Sequence, residues 1–302
     1  MPEINPALEN VGTGFAAFLS PPGPEVIRFT VGQPDFDTPL PIVEEAKAAL
    51  DRGETAYTRT QGSVELCQAV AEHLTIHNIK ANPDDVVVTP GCKQAVLYAM
   101  MATLEADDEV LLLSPAWPSY DGMLKLLNYV PVHVPVRRDN YHPDFNALEA
   151  AVTSKTKAIM LNSPNNPTGA VYTPEEIQQL LDFATKHDLW IIDDMIYATL
   201  AWTDYPYTSP SSLPGGAERT ITIGGWSKGW AMTGWRLGWI TGPKRVMDGV
   251  KKVNVSAATH VATFMMPAAT VALGLKEETA MMAASFKERR GIIHKLLMDL
   301  PG

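Results

Sequence analysis

Lys228 stands alone among glycines and apolar residues in the stretch 220–243, TITIGGWSKGWAMTGWRLGWITGP. Ser227 and Gly229 flank it, and Arg236 follows eight residues later. A lysine held in apolar surroundings loses part of its proton affinity, which suits its amine to Schiff-base chemistry with a carbonyl compound. An arginine close by offers a planar fork of donors suited to phosphate. Gly224 and Gly225, just ahead, let a backbone come close to a ligand. The same residues also fit a plainer reading, in which Lys228 snorkels from a tryptophan-rich surface and Arg236 caps a strand.

Four other strings carry groups of the same kind. Pro90-Gly91-Cys92-Lys93 joins a short β-branched run to a helical pattern beginning at Gln94. A glycine turn that opens a helix presents free N–H groups and a positive dipole end to an anion. Ser114-Pro115-Ala116-Trp117-Pro118-Ser119-Tyr120 sets an indole on a strand-end loop, where it can stack on a flat ring or simply pack. In Asn162-Ser163-Pro164-Asn165-Asn166-Pro167-Thr168-Gly169 two X-Pro bonds and a glycine restrict the backbone, and the Asn166 amide can donate. Asp193-Asp194-Met195-Ile196-Tyr197 ends an apolar run with carboxyl groups, which are costly to bury unless paired; one of them, Asp193, also fits a capping role.

The elements that position these groups alternate in type. Apolar runs at 86–89, 110–114, 130–136, 158–162, 189–193, 220–224 and 237–241 read as seven strands, several of them continuous enough to be buried on both faces. Helical segments lie between them. The clearest is 174–187, where Thr173 and Glu176 form a capping box around Pro174. Ahead of the first strand, Ile42, Val43, Ala46, Ala49 and Leu50 define one amphipathic helix, and Val64, Cys67, Val70, Ala71 and Leu74 a second. The pattern predicts an α/β fold, a mainly parallel seven-stranded sheet with helices on both faces. In such folds ligands bind beyond the carboxyl ends of the strands, where every string above sits. A long helix is expected from Glu277 to Leu300, either broken near Gly291 or continuing through it.

Composition narrows the class. The 302 residues hold 46% apolar and 19% charged side chains, as in a soluble globular protein. The balance of 24 basic against 34 acidic residues, a net charge of −10 with no basic run, argues against a nucleic-acid partner. Cys67 and Cys92 form no disulfide framework and suit a reducing, cytoplasmic setting. The stretch 257–275 has the length of a membrane span, but it is mildly apolar and carries His260 and Pro267, so a buried loop and helix are expected. No metal site is read from the sequence.

Together the strings GQPDFDTP, PGCKQA, SPAWPSY, NSPNNPTG, DDMIYATL and GWSKGWAMTGWRLGW resemble, in order and spacing, the fold type I pyridoxal-phosphate enzymes. The class I aminotransferases of the aspartate and aromatic kind are the nearest likeness, and it covers nearly the whole chain. The resemblance implies pyridoxal 5'-phosphate as cofactor and transamination of an L-amino acid with a 2-oxo acid through a Lys228 Schiff base. It implies that Asp194 pairs with the pyridine nitrogen, that Tyr197 and Asn166 donate to the phenolic oxygen, and that Trp117 stacks on the ring. The backbone at Cys92 and Lys93, with Ser227 and Arg236, would hold the phosphate. Tyr57 would reach the phosphate of a neighbouring subunit in a homodimer. Gly32, Trp117 and Asn166 would meet the substrate.

The likeness also has departures. Gly225 stands where many relatives carry a phosphate-binding serine, and Cys92 stands where small residues are usual. Relatives continue into a small domain that supplies an arginine for the substrate carboxylate. The expected division is an arm at 1–40, a large cofactor domain at 41–280, and an interdomain helix at 281–302 that begins a small domain largely missing from this chain. None of the arginines present matches that carboxylate-binding position, so cofactor binding with weak transamination and poor substrate affinity is expected; ordinary affinity would mean that another arginine, such as Arg28 or Arg59, holds the carboxylate. The scaffold also runs lyase chemistry, and a non-catalytic cofactor-binding module or an inactive fragment are the other readings.

Overall fold

The computed structural model describes residues 29–300, together with residues 5, 6, 8, 23 and 25–27. Most of the expected arm, Arg28 included, lies outside the described residues. Two helices precede the sheet, α1 (Leu40–Asp51) and α2 (Val64–Leu74). Then follow β1 (Val86–Thr89), α3 (Cys92–Thr103), β2 (Glu109–Ser114), α4 (Pro118–Leu126), β3 (Val130–Pro135), α5 (Phe145–Ala151) and β4 (Thr156–Asn162). The second half runs α6 (Pro174–Lys186), β5 (Trp190–Asp194), β6 (Thr220–Gly225), β7 (Gly238–Thr241), α7 (Lys244–Ala257), α8 (Met265–Gly274) and α9 (Lys276–Met298).

The seven strands form one sheet in the order β1-β7-β6-β5-β4-β2-β3. All pairings are parallel except those of β7, which runs antiparallel to both β1 and β6. Successive side chains on a strand face opposite ways, so each strand feeds two cores. Ile192, Ile221, Ile223 and Ile240 pack with α3, α4 and α7 on one face. Ile159, Leu161 and Ile191 pack with α5 and α6 on the other, where Val86, Val88 and Trp239 meet α1, α2 and α8. β5 follows the same rule, sending Asp194 to the α3 face and Asp193 to the opposite one.

Most expected elements appear with their ends shifted by a residue or two, as hydrogen bonding rather than apolarity sets a strand's limits. β5 starts at Trp190 and takes in Asp194, because Asp194 registers against Asn162 of β4. Leu50 is 48% exposed and Val64 60%, outside the stripes expected to hold them. Ala49 takes the inward position in the last turn of α1, and Leu66 carries the first turn of α2. The capping box of Thr173 and Glu176 is present at α6. The stretch checked for a membrane span holds α8, with Pro267 in its first turn, and none of the described helices is long and apolar enough to cross a membrane. α9 continues through Gly291 without a break.

Glycines set one distance on which the site depends. A Cβ on Gly238, the first residue of β7, would lie 2.4 Å from the backbone nitrogen of Cys92. One on Gly225, its partner across the β6–β7 pair, would lie 2.6 Å from Cys92 Sγ. The start of α3 therefore rests directly on two strand ends that have no side chains. Gly238→Ala is expected to cost about 1–3 kcal/mol of stability by forcing these backbones apart. Gly291→Ala, set in open space inside α9, should instead gain about 0.5–1 kcal/mol. Urea unfolding of both variants checks the contrast, and effects of equal sign would contradict it.

Candidate active site

Six strands run the same way, so their carboxyl ends share one edge of the sheet. β7 runs backwards, which brings its amino end, and Arg236 just before it, to that same edge. Asp194 ends β5 there, and Gly91, Trp117, Asn166, Tyr197, Lys228 and Arg236 follow or precede a strand at the same edge, although they span most of the chain.

Asp194 is buried at the end of β5. It is 3% exposed, and each carboxyl oxygen accepts from a neutral donor: Oδ2 from the Tyr120 hydroxyl at 2.7 Å, Oδ1 from the Ile196 N–H at 3.2 Å. It takes part in no ion pair among the described residues. Burial raises its carboxyl to about 6, against the opposing effects of Tyr120, the Ile196 N–H and Lys228. Asp193, on the other face, is raised by burial to about 7 and accepts from Ser209 Oγ at 2.5 Å.

The loop after β4 is tied to β5 through Asn162. Its amide donates to the Asp194 carbonyl at 2.8 Å, while its Oδ1 accepts from the Asn166 N–H at 2.8 Å. Asn166 Nδ2 then donates to the Tyr197 hydroxyl at 3.3 Å. Burial pushes the Tyr197 phenol up to about 12, so it stays protonated and able to donate across the neutral range.

Lys228 Nζ lies 6.0 Å from the centroid of the Tyr197 ring and donates to the Gly32 carbonyl at 2.5 Å. Its proton affinity is lowered chiefly by burial; Arg236 adds to this and Asp194 opposes it. The segment that carries Gly32 is fastened to the lysine loop again at Thr38, which donates to the Ala231 carbonyl at 2.8 Å and accepts from Trp235 Nε1 at 3.1 Å. Ser227 is buried one residue ahead of Lys228.

Helix α3 begins without a side-chain cap. Its N-cap Gly91 has φ 87°, and a Cβ there would lie 2.7 Å from Arg236 Nη2. The guanidinium thus lies against the N-cap of α3, and an arginine beside an uncapped helix start is a pairing suited to a phosphate. Cys92 Sγ donates to the Gly224 carbonyl at 2.8 Å, and burial holds its thiol well above the ordinary range. Lys93 Nζ lies 5.0 Å from the centroid of the Trp117 ring.

Most of the expected residues are therefore brought together. Tyr57 is not among them in this chain: it is 90% exposed, with its ring edge-on to His260. Arg59 is taken up by Asp84 at 2.7 Å, and the other proposed carboxylate ligand, Arg28, lies outside the described residues. Sequence reasoning assigned no role to Tyr120 or Asn162, although both stood inside quoted motifs. For Tyr120 the available signal was its position three residues after Trp117 at the start of a helix, which puts both on one face.

The family model for "Aminotransferase class I and II" matches residues 24–301. The chain belongs to this family. A bifunctional aspartate aminotransferase and glutamate/aspartate-prephenate aminotransferase of Petunia hybrida is 37% identical over 99% of the chain, which spans 64% of that relative's length. The aromatic-amino-acid aminotransferase 2 of Thermococcus litoralis is 39% identical over 91% of the chain and 72% of its own length. Among solved structures, the aspartate aminotransferase from Thermus thermophilus with maleate superposes with a TM-score of 0.93 at 32% identity, covering 99% of this chain and 81% of its own. Class I and II aminotransferases depend on pyridoxal phosphate. The site fits that cofactor by its chemistry, since it gathers a buried carboxylate that is in no ion pair among the described residues, a lysine of lowered proton affinity, and an uncapped helix start with an arginine against it.

The raised carboxyl of Asp194 has a consequence for the cofactor-free protein. Its folded-state value lies above the ordinary aspartate value of 3.8, so the folded state binds the proton more tightly than the unfolded chain. Its contribution to stability is present at low pH and is lost as pH rises from about 4 through about 6. Asp194→Asn should remove that loss. Its stability relative to the unaltered protein is expected to rise by on the order of 2–3 kcal/mol between pH 4 and pH 8. Denaturant unfolding across that range checks this, and a difference that does not change with pH would contradict it.

Proposed function

We propose that this chain catalyses transamination between an L-amino acid and a 2-oxo acid with pyridoxal phosphate, and that the residues gathered at the sheet edge are its catalytic and binding groups. The observation that carries this reading is that one site holds Lys228 together with a buried Asp194 that takes part in no ion pair among the described residues. The relatives' names make aspartate and the aromatic amino acids the donors to test first.

The backbone N–H groups of Cys92 and Lys93, with Ser227 and Arg236, would hold the phosphate. Asp194 would face the ring nitrogen and keep it protonated, a charge pair that suits a carboxylate buried without a cation. Asn166 and Tyr197 would donate to the phenolic oxygen, and Trp117 would flank the ring. Once bound, the cofactor supplies an aldehyde carbon for covalent attachment and a ring that accepts electrons. Lys228 Nζ, in its neutral amine form, would be the base that takes the proton from the substrate α-carbon. Burial lowers its proton affinity and so favours that neutral form. Gly32 would meet the substrate carboxylate through its backbone, with Trp117 and Asn166 beside the substrate.

Borohydride reduction of the protein with pyridoxal phosphate, followed by peptide mapping, tests the assignment. Label is expected on Lys228, and Lys228→Ala should lose both label and turnover. Label on another lysine would overturn it.

The division we propose is a large domain at 41–280, with 281–302 as an interdomain helix leading toward a small domain. A reducing, cytoplasmic location is supported by two unbridged cysteines, Cys67 and Cys92. The working unit is proposed as a homodimer, in which the exposed Tyr57 completes the partner's phosphate site. Mixing inactive Tyr57→Ala protein with inactive Lys228→Ala protein should restore part of the activity through hybrid dimers that hold one intact site. Failure to restore activity when subunit exchange is demonstrated would place Tyr57 outside the partner's site.

A further inference from the structure

Tyr120 is the sole side-chain donor to the Asp194 carboxylate among the described residues, and its surroundings hold it in place. It is 1% exposed, in the first turn of α4, and its backbone N–H donates to the Trp117 carbonyl at 3.0 Å. Its ring meets the Trp117 ring edge-on, with centroids 5.2 Å apart and planes at 88°. The hydroxyl therefore reaches Oδ2 from a packed helix, while the Ile196 N–H holds Oδ1 from the segment just after β5. Two donors from two separate elements fix the plane of the carboxylate and leave each oxygen a further lone pair.

The geometry points to Tyr120 as a positioning residue that orients the Asp194 carboxylate, keeps it charged for a cationic partner, and links it through the edge-on ring contact to Trp117. The inference rests on the reading of Asp194 as the partner of a protonated ring nitrogen.

The neighbouring groups leave this work to few others. Cys92, Tyr197 and Tyr207 all face the Asp194 charge, and all are pushed above their ordinary values by burial, so they stay neutral near pH 7. Asp193 on the same strand is a potential second negative charge and disfavours ionisation of the pair. Among the described residues Lys228 is the one cation that lowers the Asp194 value, and it must become neutral to act as a base. Tyr120 favours the carboxylate without carrying a charge. Burial and the Asp194 charge push its own ionisation well above the ordinary phenol range, so it remains a donor throughout.

Tyr120→Phe keeps the ring and removes only the hydroxyl. In the cofactor-free full chain, 13C NMR of labelled aspartate carboxyls, with Asp194→Asn to identify the signal, reads the titration directly. Loss of a hydrogen bond to a charged group should move the Asp194 midpoint upward by about one to two pH units. A midpoint that stays put or falls would overturn the proposal. Pyridoxal phosphate affinity at pH 8, read by absorbance, adds a second arm. Tyr120→Phe should weaken it at least about tenfold in the otherwise unaltered protein and leave it unchanged in the Asp194→Asn background. An equal loss in both backgrounds would mean a merely structural role and would also overturn the proposal. Should the unaltered protein fail to bind the cofactor, the functional reading falls, while the NMR midpoint still decides the role of Tyr120.

Discussion

A carboxylate buried at the end of a central strand with only neutral donors around it is costly, and the site is arranged around that cost. Asp194 is held by Tyr120 from one helix and by the Ile196 N–H of its own segment, and the Asn162 amide holds its carbonyl. These bonds fix its position without cancelling its charge. In a structural ion pair an arginine or lysine would sit against it, and none does among the described residues. Burial raises the carboxyl's proton affinity as a result, and a cationic ring at the same place would reverse that shift and recover much of the energy.

A second constraint is distance. The lysine, the carboxylate and the uncapped helix start lie on different elements, and a single ligand held by all three would have to span them. β7 supplies the means by running against its neighbours, which carries Arg236 to the carboxyl-end edge. Gly225 and Gly238 then let α3 settle onto the paired strand ends, where any side chain would meet the Cys92 backbone or sulfur. Arg236 completes the arrangement in a left-handed conformation, φ 53°, over the Cβ-free Gly91.

Much of this was legible in the sequence because strand and helix periods differ and because most of the motifs fall at strand ends. The seven strands, the capping box at Thr173 and the continuity of motif order needed no tertiary information. Leu50 and Val64 were misplaced because a helical stripe defines a face, and only packing decides which residue at each end of the stripe is covered. Tyr120 was missed for a related reason. A tyrosine in a helix's first turn looks like core filling until the fold brings a carboxylate from residue 194 against its hydroxyl. Asn162 likewise gains its role from a strand pairing that local patterning does not reveal. Tyr57 reads as a site residue only if a second copy of the chain is supplied.

The central claim is that the Asp194 charge waits for a protonated ring nitrogen. Equilibrium titration of the cofactor-free protein with pyridoxal phosphate, and with an analogue in which carbon replaces the ring nitrogen, tests it most directly. The unaltered protein should bind the natural cofactor at least about tenfold more tightly than the analogue, and Asp194→Asn should bind the two alike. Equal binding of both compounds by the unaltered protein would contradict the account.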